Sequence, residues 1–414
     1  WTLCPYIRRD GVANPDVRLL PDSGWFVAMS DAAHLAAIAG ASGKYAQGFT
    51  DATRFIRAWF TSNTTGVNPN LNFGQLIRGP GIEVGTYTGV LDFRFTTKIA
   101  NAVAIMRAAN ATEWTAADDA AMNTWATQYI NWLTTNALGL QSFRATNNHG
   151  TFYVNQLAAL RIMVGDTQGA INALNGYFKG IYLNQILSSG EQPLESIRTQ
   201  PNHYQAFNIE AMIVNARLGD QLGLNFWSAK TRYGATIQTA VNYLMPRAGN
   251  TDDLQMGELA PHVATVAAAY GDPQGKYAKF LNNAYGSGYT GQRWWYFDQT
   301  AALPNSPLAQ AIASSISASL ASSTSTTSSS ALPTNGTTTD SGDVGSTTTS
   351  SDSGDIGSST ESFTTDSATD SVSDNSTVYT TSTDFSDTGS TDAPTTTASV
   401  PSDSTSSDAM PTTP

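Results

Sequence analysis

Four side chains in two separated stretches have the types needed to make a proton removable beside a carboxylate. The first stretch, "NNHGTFYVNQLAAL" at 147–160, sets Asn148 and His149 at the head of an apolar run; the second, "RTQPNHYQAF" at 198–207, carries Arg198 and Tyr204. Arginine offers a fork of N–H donors matched to a carboxylate. An amide and an imidazole can hold a developing oxyanion, a role commonly worth about 3 kcal/mol per donor. A phenol whose proton is loosened by a nearby guanidinium can act as base and then as acid. With no obvious carboxylate pair beside them, these groups suit β-elimination from a uronic acid polymer. There the C5 proton lies next to a carboxylate that resists a second charge until donors neutralise it. In β-D-mannuronate and β-D-glucuronate the C5 hydrogen and O4 share one ring face, so Tyr204 alone could serve both steps. An α-L-guluronate block would need a second group, His149 or Tyr87.

Helix starts must position these groups. Asparagine is a favoured N-cap, so the amides at 147–148 could instead satisfy the free N–H groups of a first turn. Pro201 suits a first helical turn, and Tyr204, Phe207, Ala211, Val214 and Leu218 then recur on one face. Tyr204 could equally be a half-buried core phenol, and Arg198 could pair with Glu195. The chain also repeats one unit, an apolar helix, a Gly-containing turn and an amphipathic helix, in "HLAAIAGASGKYAQGFTDATRFIRAWF", "LAALRIMVGDTQGAINALNGYFKGI" and "HVATVAAAYGDPQGKYAKFLNNAY". Such pairs bury their faces only by stacking on neighbours, which predicts an all-α fold, an incomplete (α/α) toroid.

Between helical blocks lies "GVNPNLNFGQLIRGPGIEVGTYTGVLDFRF", residues 66–95, long enough to be a functional cleft wall. It carries Tyr87 and the candidate substrate-binding residues Asn70, Asn72, Gln75 and Arg78, although Asn and Gly there also suit turns. His203 beside Tyr204 is a further subsite candidate. Trp294 could stack a sugar or close a core. His34 and His262 fall within helical patterns and read as structural.

The stretches "KYAQGFTDATRFIRAWF", "NPNLNFGQ", "NNHGTFY" and "RTQPNHYQAFNIEA" together resemble the alginate lyase superfamily over roughly residues 15–300. The spacing of His149, Arg198 and Tyr204 is most similar to polysaccharide lyase family 38, and more distantly to family 5. The resemblance implies an α/α toroid, Asn148, His149 and Arg198 as neutralisers, Tyr204 as catalytic tyrosine and Tyr87 as a second phenol. It implies alginate or glucuronan as substrate and no cofactor.

Composition divides the chain near residue 305. All 21 Lys and Arg lie at or before Arg293, whereas 13 of the 33 acidic residues follow Pro307, so the net charge of −12 belongs to the tail. The expected organisation is a catalytic domain over 1–305 and a disordered, acidic, Ser/Thr/Pro-rich tail over 306–414 that suits O-glycosylation. A nearly neutral body tolerates an anionic polysaccharide and lacks the basic stripe of a nucleic-acid binder. Nothing approaches the roughly 20 apolar residues of a membrane span. A chain starting at Trp1 with acceptor tripeptides at Asn63, Asn110, Asn335 and Asn375 fits a secreted monomer, with the tail suited to cell-wall association. The single Cys4 has no internal disulfide partner, and no metal motif is evident among four scattered histidines. Two other classes compete. A glycoside hydrolase would need two carboxylates from Asp92, Glu83, Glu191 and Glu195. A non-catalytic wall-binding protein would suit the stalk-like tail.

Overall fold

The computed structural model describes Asp10, residues 22–292 and Trp294; Cys4, Asn335, Asn375 and the tail from 306 onward lie outside the described residues. Within them the chain forms α1 (Asp22–Ala41), α2 (Gly48–Ile56), α3 (Thr96–Ala108), α4 (Ala116–Thr135), α5 (Ala137–Arg144) and α6 (Asn148–Met163). The series continues with α7 (Thr167–Phe178), α8 (Pro193–Ser196), α9 (Pro201–Gln221), α10 (Ile237–Leu244), α11 (Met256–Tyr270) and α12 (Lys276–Tyr285). Among the described residues the extended pairing is limited to one isolated bridge, Thr251 with Leu254. No helix there is long and apolar enough to cross a membrane.

The three repeats become α1–α2, α6–α7 and α11–α12. Helix α1 packs on α3, α3 on α6, α6 on α9 and α9 on α11; α2, α7, α10 and α12 back this inner series. That is the arrangement of an incomplete α/α toroid. Glycine makes the first pair close: a Cβ on Gly48 would lie 2.4 Å from the Ala36 carbonyl oxygen, and Gly43 turns the chain at φ +68°.

Local chemistry sets the helix starts. Thr115 and Asp118 form a capping box on α4, and Arg57 grips the Asp118 carboxylate at 2.5 and 2.6 Å. That grip, opposed by burial and aided by Thr115, holds the Asp118 carboxyl down at about 2. Thr236 with Thr239 makes a second box on α10, and Pro201 occupies the first turn of α9 as expected.

Inner helix α6 is buried on every side from Asn148 to Leu160. Its polar groups therefore need partners inside the protein. Gln156 supplies the most telling pair, donating to the Val90 carbonyl at 2.9 Å while accepting from the Tyr129 hydroxyl at 3.1 Å. The link to Val90 fastens the end of the 66–95 segment onto α6, where residues Tyr87–Phe93 form a tight 3-10 turn.

Candidate active site

The cap of α6 is Asn147, which leaves Asn148 and His149 as the first two helical residues. Asn147 Oδ1 accepts the His149 backbone N–H at 3.3 Å and lies 3.1 Å from His149 Nδ1. A carboxamide oxygen only accepts, so Nδ1 carries the proton, and a neutral imidazole then has its lone pair on Nε2.

Asn148 turns toward Glu195. Its backbone N–H donates to Oε1 at 2.7 Å and its Nδ2 to Oε2 at 2.8 Å. Glu195 is 1% exposed and sits at the N-terminus of α6, where the helix dipole favours negative charge. Because Nδ2 must face that carboxylate, the amide orientation is fixed and Asn148 Oδ1 is left buried without a hydrogen-bond partner. Asn148 thus offers an acceptor and one further amide hydrogen.

The same carboxylate reaches the second stretch, with Arg198 Nη1 lying 3.8 Å from Glu195 Oε2. The opposite edge of the guanidinium is taken by Asp10, whose Oδ1 accepts from Nε at 3.0 Å and from Nη2 at 2.6 Å. The flat face covers Tyr204, with the guanidinium carbon 3.8 Å from the ring centroid. Tyr204 is 2% exposed on the inward side of α9. One turn further along each helix, Phe152 and Phe207 meet at a centroid distance of 4.4 Å, which brings the two helix starts together.

On the other flank, the Tyr87 ring lies 5.4 Å from that of His149. Its backbone carbonyl accepts from Ser142 Oγ of α5 at 2.6 Å, so both α5 and α6 fasten the turn that carries it. Tyr87, His149, Asn148, Glu195, Arg198 and Tyr204 therefore form one connected group. His203 stands beside it, its ring 5.4 Å from Tyr204 and its Nδ1 2.6 Å from Glu258 Oε1. Burial opposes the charged imidazole, but Glu258 outweighs it and raises the His203 pKa.

The wall residues divide. Asn70 Oδ1 accepts from the Asn72 backbone at 3.2 Å, and Asn72 Oδ1 accepts the Trp132 indole N–H at 2.8 Å, so these bonds shape the wall. Gln75 is 6% exposed, has φ +52° and donates to Asp92 at 2.7 Å; Arg78 is exposed. A left-handed Gln is a backbone conformation that the surrounding structure must hold in place. Trp294 is 7% exposed and packs against Tyr285 at 5.8 Å, which fits the core role that its sequence context also allows. His34 and His262 are buried, as read, while Asn63 and Asn110 are exposed in turns. Cavities of 620 Å³ beside Arg107 and Asp119 and of 460 Å³ beside Arg57 and Asp118 belong to structural ion pairs and hold none of the candidate catalytic residues.

Residues 2–254 match the family model described as alginate lyase. The chain belongs to the alginate lyase family. The lyase is similar to a crystal structure of an alginate lyase from Bacteroides ovatus, at 27% identity and a TM-score of 0.60, covering 67% of this chain and 74% of that one. No curated protein matches it. It is a polysaccharide lyase with the helical toroid of that family. From sequence Glu195 is a pairing partner for Arg198 or a hydrolase carboxylate; in the lyase it links the two stretches. The three-residue spacing to Arg198 was its only signal. Asp10, 188 positions from Arg198, gave none.

Proposed function

We propose that this lyase cleaves a β-linked polyuronate, glucuronan or mannuronan-type alginate, by syn elimination. The observation that carries the reading is the Arg198 guanidinium stacked on the Tyr204 ring within the network that runs through Glu195 to Asn148. The positive face favours phenolate over phenol. Tyr204 then takes the C5 proton, and the charge that develops on the sugar carboxylate is met by the remaining Asn148 amide hydrogen and by His149 once its Nε2 also carries a proton. The electron pair forms the C4–C5 double bond as the C4–O4 bond breaks, and Tyr204 returns its proton to O4. No water is consumed. For a guluronate residue, His149 Nε2 or Tyr87 would act on the opposite face.

Asn148, His149 and Tyr204 are each 1–2% exposed. A sugar ring therefore reaches them only when the covering side yields, and the half-buried Tyr87 on the 66–95 wall is placed to do so. The near-neutral body, the acceptor sites at exposed Asn63 and Asn110 and the Ser/Thr-rich composition beyond 306 support a secreted glycoprotein. A polyuronate panel tests the reading. Mannuronan or glucuronan should give product with ultraviolet absorbance from a 4,5-unsaturated end; reducing ends without that absorbance would indicate hydrolysis and overturn it.

A further inference from the structure

Asp10 makes three hydrogen bonds at one spot. Oδ1 accepts from Arg198 Nε and Nη2, and Oδ2 accepts the Thr199 backbone N–H at 2.9 Å. The side chains of Arg198 and Asp10 are 8% and 13% exposed, so the pair is shielded from water. Burial works against the Asp10 carboxylate, yet the bonds from Arg198 and Thr199 outweigh it and keep its pKa below the usual value. With Asp10 on one edge, Glu195 toward the other and Tyr204 under one face, the guanidinium is fixed in position and plane. A substrate carboxylate using the Nε–Nη2 edge would have to displace Asp10 and leave it buried without its partner, an arrangement that is strongly unfavourable.

We propose that Asp10 is a positioning residue that holds the Arg198 guanidinium on the face of the Tyr204 phenol. The inference rests on Tyr204 being the base. Arg198 then holds the phenolate form, and the second Asn148 amide hydrogen remains for the substrate carboxylate. Arg198 and His203 pack against the Tyr204 ring, with Glu258 held by His203 and Glu195 beside Arg198. The sign of one effect separates positioning from a simple field. Removing a negative charge would by itself ease loss of the phenol proton, whereas releasing the guanidinium from its stack makes that proton harder to lose.

The test compares Asp10→Ala, Asp10→Glu, Arg198→Lys and the Asp10→Ala/Arg198→Lys pair in the full chain. Tyr204 is read without substrate, as the difference in tyrosinate absorbance titration between each protein and its Tyr204→Phe counterpart. Asp10→Ala should raise the Tyr204 titration by about one pH unit and lower kcat near neutral pH about tenfold, with KM within about twofold. Asp10→Glu should recover part of both. In the Arg198→Lys background Asp10→Ala should add nothing further, because the two act as one unit. A lower KM or higher kcat/KM in Asp10→Ala would mean that Asp10 competes with substrate and overturns the proposal. So would a lower or unmoved Tyr204 titration, or an additive double variant. Should the unaltered lyase turn over no polyuronate while the titration shift still appears, the functional reading fails and the role of Asp10 stands.

Discussion

Arg198 lies flat on Tyr204, its guanidinium carbon 3.8 Å from the ring centroid, in an orientation fixed by carboxylates on two of its edges. A planar cation does what an ammonium cannot, because it stacks and donates from its edge at once. Arg198→Lys should therefore keep the fold and lower kcat about a hundredfold, with a smaller change in KM. Initial rates of unsaturated product formation check this. A variant within about threefold of the parent would show that the stacked charge is dispensable.

Glu195 receives two hydrogen bonds from Asn148 and faces Arg198 while being 1% exposed. Glu195→Ala would leave a buried amide, a helix N-terminus and part of a guanidinium without an acceptor. The expected loss is about 3 kcal/mol of unfolding free energy, with Glu195→Gln losing less because it can still accept one bond. Urea unfolding followed by circular dichroism measures it. Equal stability of all three proteins would remove Glu195 as the link between the stretches.

The cleft wall depends on backbones too close for side chains. A Cβ on Gly85 would lie 2.1 Å from the Gly74 carbonyl oxygen, and Gly74 also packs against Gly89. Gly85→Ala should distort the wall that carries Tyr87 while leaving the helices intact. The expected signature is a kcat/KM at least tenfold lower, faster proteolytic cleavage within 66–95 and unchanged helical circular dichroism. A fully active, protease-resistant variant would show that the close approach of Gly85 to Gly74 does not hold the wall in place.

How far the sequence revealed this depends on the range of the interactions. The helix pairs were legible because Gly and apolar spacing act within a few residues, and α1–α2, α6–α7 and α11–α12 all follow them. That Asn148, His149, Arg198 and Tyr204 lie together at two helix starts was legible from their types and spacing. What joins them was not. The bond from Asn148 to Glu195 spans 47 positions and that from Arg198 to Asp10 spans 188, and no local pattern encodes either. Asn72 and Trp294 are ambiguous in the sequence for a related reason. A carboxamide or an indole suits a sugar as well as a core, and the contacts with Trp132 and Tyr285 have no local signature.

Buried histidines should set the first acid-side loss of stability. Burial, and then the Lys98 charge, depresses the His34 pKa to about 3, and burial alone depresses that of His262 to about 4. Both lie below the unfolded value of roughly 6.5, so as pH falls through that value the unfolded chain binds protons that the folded one refuses. Stability is then lost from about pH 6.5 downward, whereas the Asp118 contribution falls only between its ordinary value of 3.8 and about 2. Asp220, raised to about 6 by burial, takes up a proton in the folded state and offsets part of the loss. His262→Leu should lose roughly 2 to 3 kcal/mol less than the parent between pH 7 and pH 4.5. Parallel pH curves in urea unfolding would show that His262 does not titrate in this way.

The most direct test of the account is Tyr204→Phe, which removes one oxygen atom from a ring that is 2% exposed and leaves its packing on α9 in place. Steady-state formation of unsaturated product from the best polyuronate should fall at least a hundredfold while the polymer still binds with similar affinity. A variant that retains more than a tenth of the parent turnover would show that another group removes the C5 proton.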